Sequence, residues 1–368
     1  MTKENNFEPM KWLYFSLGLI GIALQTFSQE SPSVNIGGGF HYGFLAYHNS
    51  TMRGMQQRHI KAGELEFSVV GKGQSNWHRF YKNPHIGLSI MAMDLGSPDY
   101  LGAGVSLFPF IRFPLLGGDN YKLVIRTGAG LGYVQKIFDA AINNKANAIG
   151  SHLNGFVNLR LSSYIRLYKP LVLELGLGLS HFSNGGSKAP NKGINMPTIN
   201  TSLIYEMGIS NQVKADTSKY IYKKHRFFCI LSGGASQLTR IGDKTYAVGT
   251  GQFFYDYHAT IKSSFGAGVD LMYNGVYPAR LKYDSIPISS NFENIQVGLK
   301  VLYQFNMHRL ILPIEFGVYG FSAYKKNGLL YHRIGVRYLV TKHLTLNVSL
   351  KTHFAVAEYF ECGLGWCF

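Results

Sequence analysis

Along most of the chain, apolar and polar positions alternate with a period of two. Leu65, Phe67 and Val69 alternate with Glu64, Glu66 and Ser68. Leu344, Leu346, Val348 and Leu350 alternate with Thr345, Asn347, Ser349 and Lys351, and Ile295 to Phe305 carries an apolar residue at every second position. Such runs predict strands with one apolar and one polar face. A soluble sandwich would show the same alternation, but two features favour a membrane barrel. The segments run to about ten residues or more, as a tilted membrane strand requires. The connectors also alternate between short (Tyr168-Lys169-Pro170, Asn306 to Arg309, Thr341-Lys342-His343) and long (138–150, 184–196, 274–292), matching short periplasmic turns and long external loops. The pattern predicts an all-β protein: a transmembrane antiparallel up-and-down β-barrel of about 12–16 strands, with sixteen candidate strands from Ser33 to Phe368. In the last segment Phe360, Cys362, Leu364, Trp366 and Phe368 share one face, a terminal aromatic strand of the kind that marks outer-membrane barrels.

The segment before the first strand reads differently. Lys3 and Lys11 precede the apolar stretch Trp12 to Leu24, and Phe27-Ser28-Gln29 offers a small-residue cleavage point, so residues 1–28 read as a signal peptide. Residues 29–368 are then expected to be one outer-membrane barrel, for no linker or low-complexity tract divides them. Composition agrees with strands. Aromatics make up 14 % and charged residues 15 %, and glycine is frequent, a mix unlike that of a soluble helical protein. A mean hydropathy near zero argues against spanning helices, each of which needs roughly 20 apolar residues in a row. The net charge of +16 is read as meeting anionic lipid phosphates in the bacterial outer membrane, not nucleic acid. Cys229, Cys362 and Cys367 form neither a disulfide framework nor a zinc pattern, and Cys362 and Cys367 should face opposite sides of one strand.

Candidate chemistry sits in the hairpin within 171–210. Leu171, Leu173, Leu175, Leu177 and Leu179 share a parity with His181 and Ser183, while Val172, Glu174, Gly176, Gly178 and Ser180 share the other. A leucine stripe that must face lipid therefore ends in a histidine and a serine, and polar groups facing a membrane are costly without a reason. Residues i and i+2 of a strand share a face, so His181 is placed to act as general base toward Ser183. Asn184, Gly185 and Gly186 follow, with main-chain N–H groups that would suit an oxyanion. If the loop closes as a hairpin, Asn195 lies opposite His181 and its carbonyl would fix the imidazole tautomer. The structural alternative is a His and Ser that merely meet head groups, followed by an ordinary Asn-Gly-Gly turn. Glu174, Glu206 and His353 are expected in the lumen. His41, His48, His152, His225 and His258 show no metal-ligand spacing. Gly128, Gly130 and Gly132 are expected to ease barrel curvature, not to bind a nucleotide.

His181-Phe182-Ser183-Asn184-Gly185, followed by Pro190-Asn191-Lys192-Gly193-Ile194-Asn195, resembles the active-site segment of the PagL-like lipid A 3-O-deacylases, or acyloxyacyl hydrolases. The resemblance covers roughly Ser33 to Asn211. It implies an outer-membrane barrel whose His181 (base) and Ser183 (nucleophile) face lipid and cleave an ester-linked acyl chain from lipid A, with Asn191 assisting the oxyanion site. Asn195 stands where that family has an acidic residue, so it would orient His181 without supplying charge. Outer-membrane phospholipase A is similar in its His, Ser and Asn and in its Ser-Asn-Gly. The expected function is a lipid A acyl-ester hydrolase whose partners are outer-membrane lipids and lipopolysaccharide, with no cofactor. The alternatives are a phospholipase, for which calcium would be needed, and a porin or transporter without activity.

Overall fold

A computed structural model describes residues 33–70, 76–208, 223–238, 244–287, 292–354 and 356–368. The expected signal peptide lies outside the described residues. Among the described residues, sixteen antiparallel strands account for nearly all regular structure, and they close into two rings of eight. The first ring holds β1 (Ser33–Gly43), β2 (Ile60–Val70), β3 (His85–Asp94), β4 (Ala103–Gly117), β5 (Tyr121–Val134), β6 (Leu153–Tyr168), β7 (Leu171–Ser183) and β8 (Ile194–Met207). Each strand pairs with the next, and β8 returns to β1, from Val34 opposite Met207 to Gly43 opposite Thr198. The second ring holds β9 (His225–Gln237), β10 (Thr245–His258), β11 (Ser263–Asn274), β12 (Ile295–Met307), β13 (Leu310–Ser322), β14 (Leu330–Leu339), β15 (Leu344–His353) and β16 (Val356–Cys367). It closes with β16 on β9, from Glu361 opposite Gly234 to Cys367 opposite Phe228.

The strand count matches the expectation, but the single ring over 29–368 is corrected to two closures. Alternation along a strand reports which face meets lipid and is silent about which strand completes the ring. The lumens give the physical reason for early closure, since an eight-stranded barrel has a bore that side chains can fill. In the first barrel Glu64 bonds Arg126 at 2.5 Å and also contacts Arg160, Glu66 bonds Arg112 and Arg126 at 2.8 Å each, and Glu174 bonds Arg112 at 3.1 Å. In the second, Lys300 forms ion pairs with Asp270 and Glu315 at 2.9 Å each, Arg333 with Asp270 at 2.7 Å and Glu361 at 2.6 Å, and Arg337 contacts Glu315. Charges buried this deeply call for opposite partners, because an unpaired buried charge is expensive.

The outward positions are apolar on both barrels: Leu65, Phe67, Leu159, Leu177 and Ile199 on the first, and Leu231, Phe253, Phe265, Leu299 and Leu364 on the second are all exposed. Strands of 10 to 16 residues suffice to cross a bilayer. In β16 the alternation places Leu364, Trp366 and Phe368 outward and buries Glu361 and Cys367, so Cys362 and Cys367 do lie on opposite parities. Glu174 is fully buried in the lumen, as expected, and Glu206 pairs with Arg166 at 2.7 Å. Two short helices, α1 (Asn76–Phe80) and α2 (Tyr277–Tyr283), sit in connections. Tyr277 of α2 donates to Glu358 at 2.8 Å within the second barrel.

Candidate active site

β7 and β8 form an antiparallel hairpin in which His181 lies directly opposite Asn195. Leu175, Leu177 and Leu179 are exposed on the outer face of β7, and Val172, Glu174, Ser180 and Phe182 are buried on the inner one. His181 and Ser183 therefore share the parity of the leucine stripe. Between them Phe182 points inward, fully buried, its ring 4.9 Å from that of Phe156. Gly132 on β5 makes room for it, because a Cβ there would overlap the Phe182 ring. The inward aromatic anchors the strand end, so its outward neighbours are held on a rigid backbone.

The imidazole is oriented by its hairpin partner. His181 Nδ1 lies 2.7 Å from Asn195 Oδ1. A side-chain carbonyl only accepts, so Nδ1 carries the proton and Nε2 keeps its lone pair, the tautomer a general base needs. Asn195 Nδ2 in turn lies 3.1 Å from His48 Nδ1. The main chain of Asn195 is also fixed, for its carbonyl accepts the Ala46 N–H at 2.9 Å in a bridge that prolongs the β1–β8 ladder.

Gly193 fixes the other side of the ring. Its φ is +77°, and a Cβ there would stand 2.5 Å from His181 Cε1, so a side chain at this position would collide with the base. The N–H groups of Lys192 and Gly193 both donate to Ala148 O, at 2.9 and 3.0 Å. The Asn184 amide donates to Ser151 Oγ at 3.0 Å, and Ser151 Oγ donates to Asn154 at 2.8 Å. The long β5–β6 loop therefore braces both ends of the hairpin. Lys192 donates to Thr51 Oγ1, whose carbonyl accepts from Asn147 at 2.7 Å, and partial burial pushes the Lys192 ammonium pKa down.

Among the residues singled out from sequence, His181 and Asn195 are in direct contact, and Ser183 follows two residues on along the same face of β7. Asn184 donates its side-chain amide to Ser151 Oγ. Gly185, Gly186 and Asn191 group with the compact unit of the second barrel. Gly185 and Gly186 both have positive φ, as their turn requires. Sequence reasoning missed three residues: Gly193, Phe182 and His48. The left-handed glycine could have been suspected from its place just before β8, and the aromatic from its inward parity. His48 carried no local mark.

A family model for lipid A 3-O-deacylase (PagL) matches residues 62–203, and one for the C-terminal domain of acyloxyacyl hydrolase matches residues 225–368. These spans fall within the first barrel and over the second, so the family boundaries follow the two ring closures. No curated protein matches the chain. Similar solved structures include the outer membrane enzyme PagL, with 17 % identity over 47 % of this chain and 99 % of that one at a TM-score of 0.32. Another is Omp33 of Acinetobacter baumannii, with 7 % identity over 92 % of this chain and 97 % of that one at a TM-score of 0.17. A mutant porin of Rh. blastica shows 12 % identity over 92 % and 100 % at 0.19. The fold rests on the strand pairing and not on these low scores. With one model across each barrel, the chain belongs to the PagL-like lipid A 3-O-deacylase, or acyloxyacyl hydrolase, family of outer-membrane β-barrels.

Proposed function

We propose that this protein removes an ester-linked acyl chain from lipid A by a serine mechanism in which Ser183 is the nucleophile, His181 the general base and Asn195 the residue that orients the base. The observation that carries this reading is the 2.7 Å bond from His181 Nδ1 to Asn195 Oδ1 across the β7–β8 hairpin, on the face where Ser183 also stands. In the first step Ser183 Oγ adds to the ester carbonyl carbon and its proton passes to His181 Nε2. The tetrahedral oxyanion collapses, the sugar oxygen leaves with the proton from His181, and an acyl-serine remains. Water, deprotonated by the same imidazole, then adds to the acyl carbonyl, and as this second intermediate collapses the bond to Ser183 Oγ breaks, His181 returns the proton to Oγ and the fatty acid is released. The candidate oxyanion donor is the main-chain N–H of Asn184, the residue that follows the nucleophile. As a neutral amide, Asn195 orients the ring without compensating the imidazolium charge.

The family supports lipid A as the substrate, and the apolar outer wall below His181 is a surface on which acyl chains lie. Side chains and water suffice for the reaction so written, and chelation is expected to leave the rate unchanged. A calcium requirement together with activity on phospholipid vesicles would favour the phospholipase reading instead. The serine role is tested with a fluorophosphonate, which forms a covalent adduct with an activated serine. The wild type is expected to gain one adduct on the peptide holding Ser183, and Ser183→Ala none. An unlabelled wild type, or equal labelling of both proteins, contradicts the assignment.

A further inference from the structure

Asn195 differs from a carboxylate in one respect that matters here. Its two ends are chemically opposite, the oxygen accepting and the nitrogen donating, whereas a carboxylate accepts at both. Only one of two amide orientations serves catalysis. With Oδ1 toward His181, the imidazole keeps its proton on Nδ1 and offers Nε2 to the serine. With the amide turned over, Nδ2 would donate to Nδ1, the proton would move to Nε2, and the ring could no longer take one from Ser183. An amide at this position therefore needs a second partner to choose between the two.

We propose that His48 is that partner, a positioning residue that sets the Asn195 amide and, through it, the tautomer of His181. Its Nδ1 lies 3.1 Å from Asn195 Nδ2, while Oδ1 of the same amide bonds His181 at 2.7 Å. With its proton on Nε2, His48 presents an acceptor at Nδ1 and pairs only with the amide nitrogen. This inference rests on the serine mechanism proposed above and adds a fourth residue to it.

His48 is an exposed residue of the β1–β2 connection, and the chain on either side of it is tied down. After β1 the chain keeps its register along β8: Gly43 lies opposite Thr198, the Phe44 N–H donates to Pro197 O at 3.3 Å, and the Ala46 N–H donates to Asn195 O at 2.9 Å. Just beyond His48, Asn49 accepts from the Thr51 N–H at 3.0 Å and opens a single helical turn whose Met52 is fully buried. Lys192 and Asn147 both donate to Thr51. The main chain is therefore fixed on both flanks of His48, and its imidazole meets the Asn195 amide from that fixed backbone.

The test is a set of rates for lipid A deacylation by the full-length protein in detergent micelles. His48→Ala is expected to lower kcat about five- to tenfold, the weight of one lost hydrogen bond, with KM unchanged. His48→Gln, which restores an acceptor, is expected to stay within about twofold of wild type by the same reasoning. In an Asn195→Asp background, where the carboxylate has no orientation to choose, His48→Ala is expected to change nothing further. A His48→Ala loss that Gln does not rescue, or that persists at full size in the Asn195→Asp background, overturns the proposal; if Asn195→Asp is itself inactive, the Gln comparison decides alone. Unchanged activity of His48→Ala beside an inactive Ser183→Ala would remove His48 and leave the serine mechanism standing. An active Ser183→Ala would remove both.

Discussion

A serine hydroxyl is a weak nucleophile at neutral pH, and its reactivity depends on a base held in one tautomer within reach. In the proposed site two side chains and one absence set the tautomer and place of His181: Asn195 opposite it across the hairpin, His48 behind Asn195, and the missing side chain of Gly193 beside the ring. The last makes a sharp prediction. Gly193→Ala adds a Cβ 2.5 Å from His181 Cε1 in a backbone conformation of φ +77°, so the ring must move. Activity is expected to fall by roughly a hundredfold, as it does when a supporting shell loosens, while the folded barrel survives heating in a gel-mobility assay. Asn195→Ala is expected to keep a residual rate, because it removes the orienter and leaves both reacting groups.

The element to which the proposed chemistry is assigned is the hairpin of β7 and β8, and most of its geometry is legible in the sequence. The leucine parity from Leu171 to Leu179 gave the strand and its lipid face, and hairpin closure placed Asn195 opposite His181, as the pairing shows. What lies on the other side of β8 could not be read. A strand's second neighbour depends on ring size, and a single sixteen-strand ring would have put β9 beside β8. In the ring of eight that neighbour is β1, which brings His48 to Asn195 across 147 residues of sequence. No local pattern encodes such a contact. The inward role of Phe182 was hidden for a related reason, since it depends on Gly132 two strands away. Phe182→Ala would leave a cavity beneath the site at a cost of about 3–5 kcal/mol. A lowered urea midpoint together with lost activity would bear this out, and an unchanged midpoint would show that the ring is no anchor.

At the scale of the whole molecule, the chain is two closed barrels, each with paired charges buried in its lumen. The apolar walls and strand lengths announce a membrane barrel but not the ring size, and each ring of eight encloses its own set of charges, Glu64, Glu66 and Glu174 with three arginines in one bore and Asp270, Glu315 and Glu361 with Lys300, Arg333 and Arg337 in the other. Bores filled in this way are expected to pass no steady current in planar bilayers, and discrete channel openings would contradict the described lumens. The account as a whole stands on lipid chemistry at Ser183. Its most direct test is the mass spectrum of lipid A from outer membranes of cells expressing wild type or Ser183→Ala at equal levels. Wild type is expected to yield lipid A lighter by one ester-linked acyl chain, and Ser183→Ala to leave it intact; the same lipid A mass in both would contradict the account.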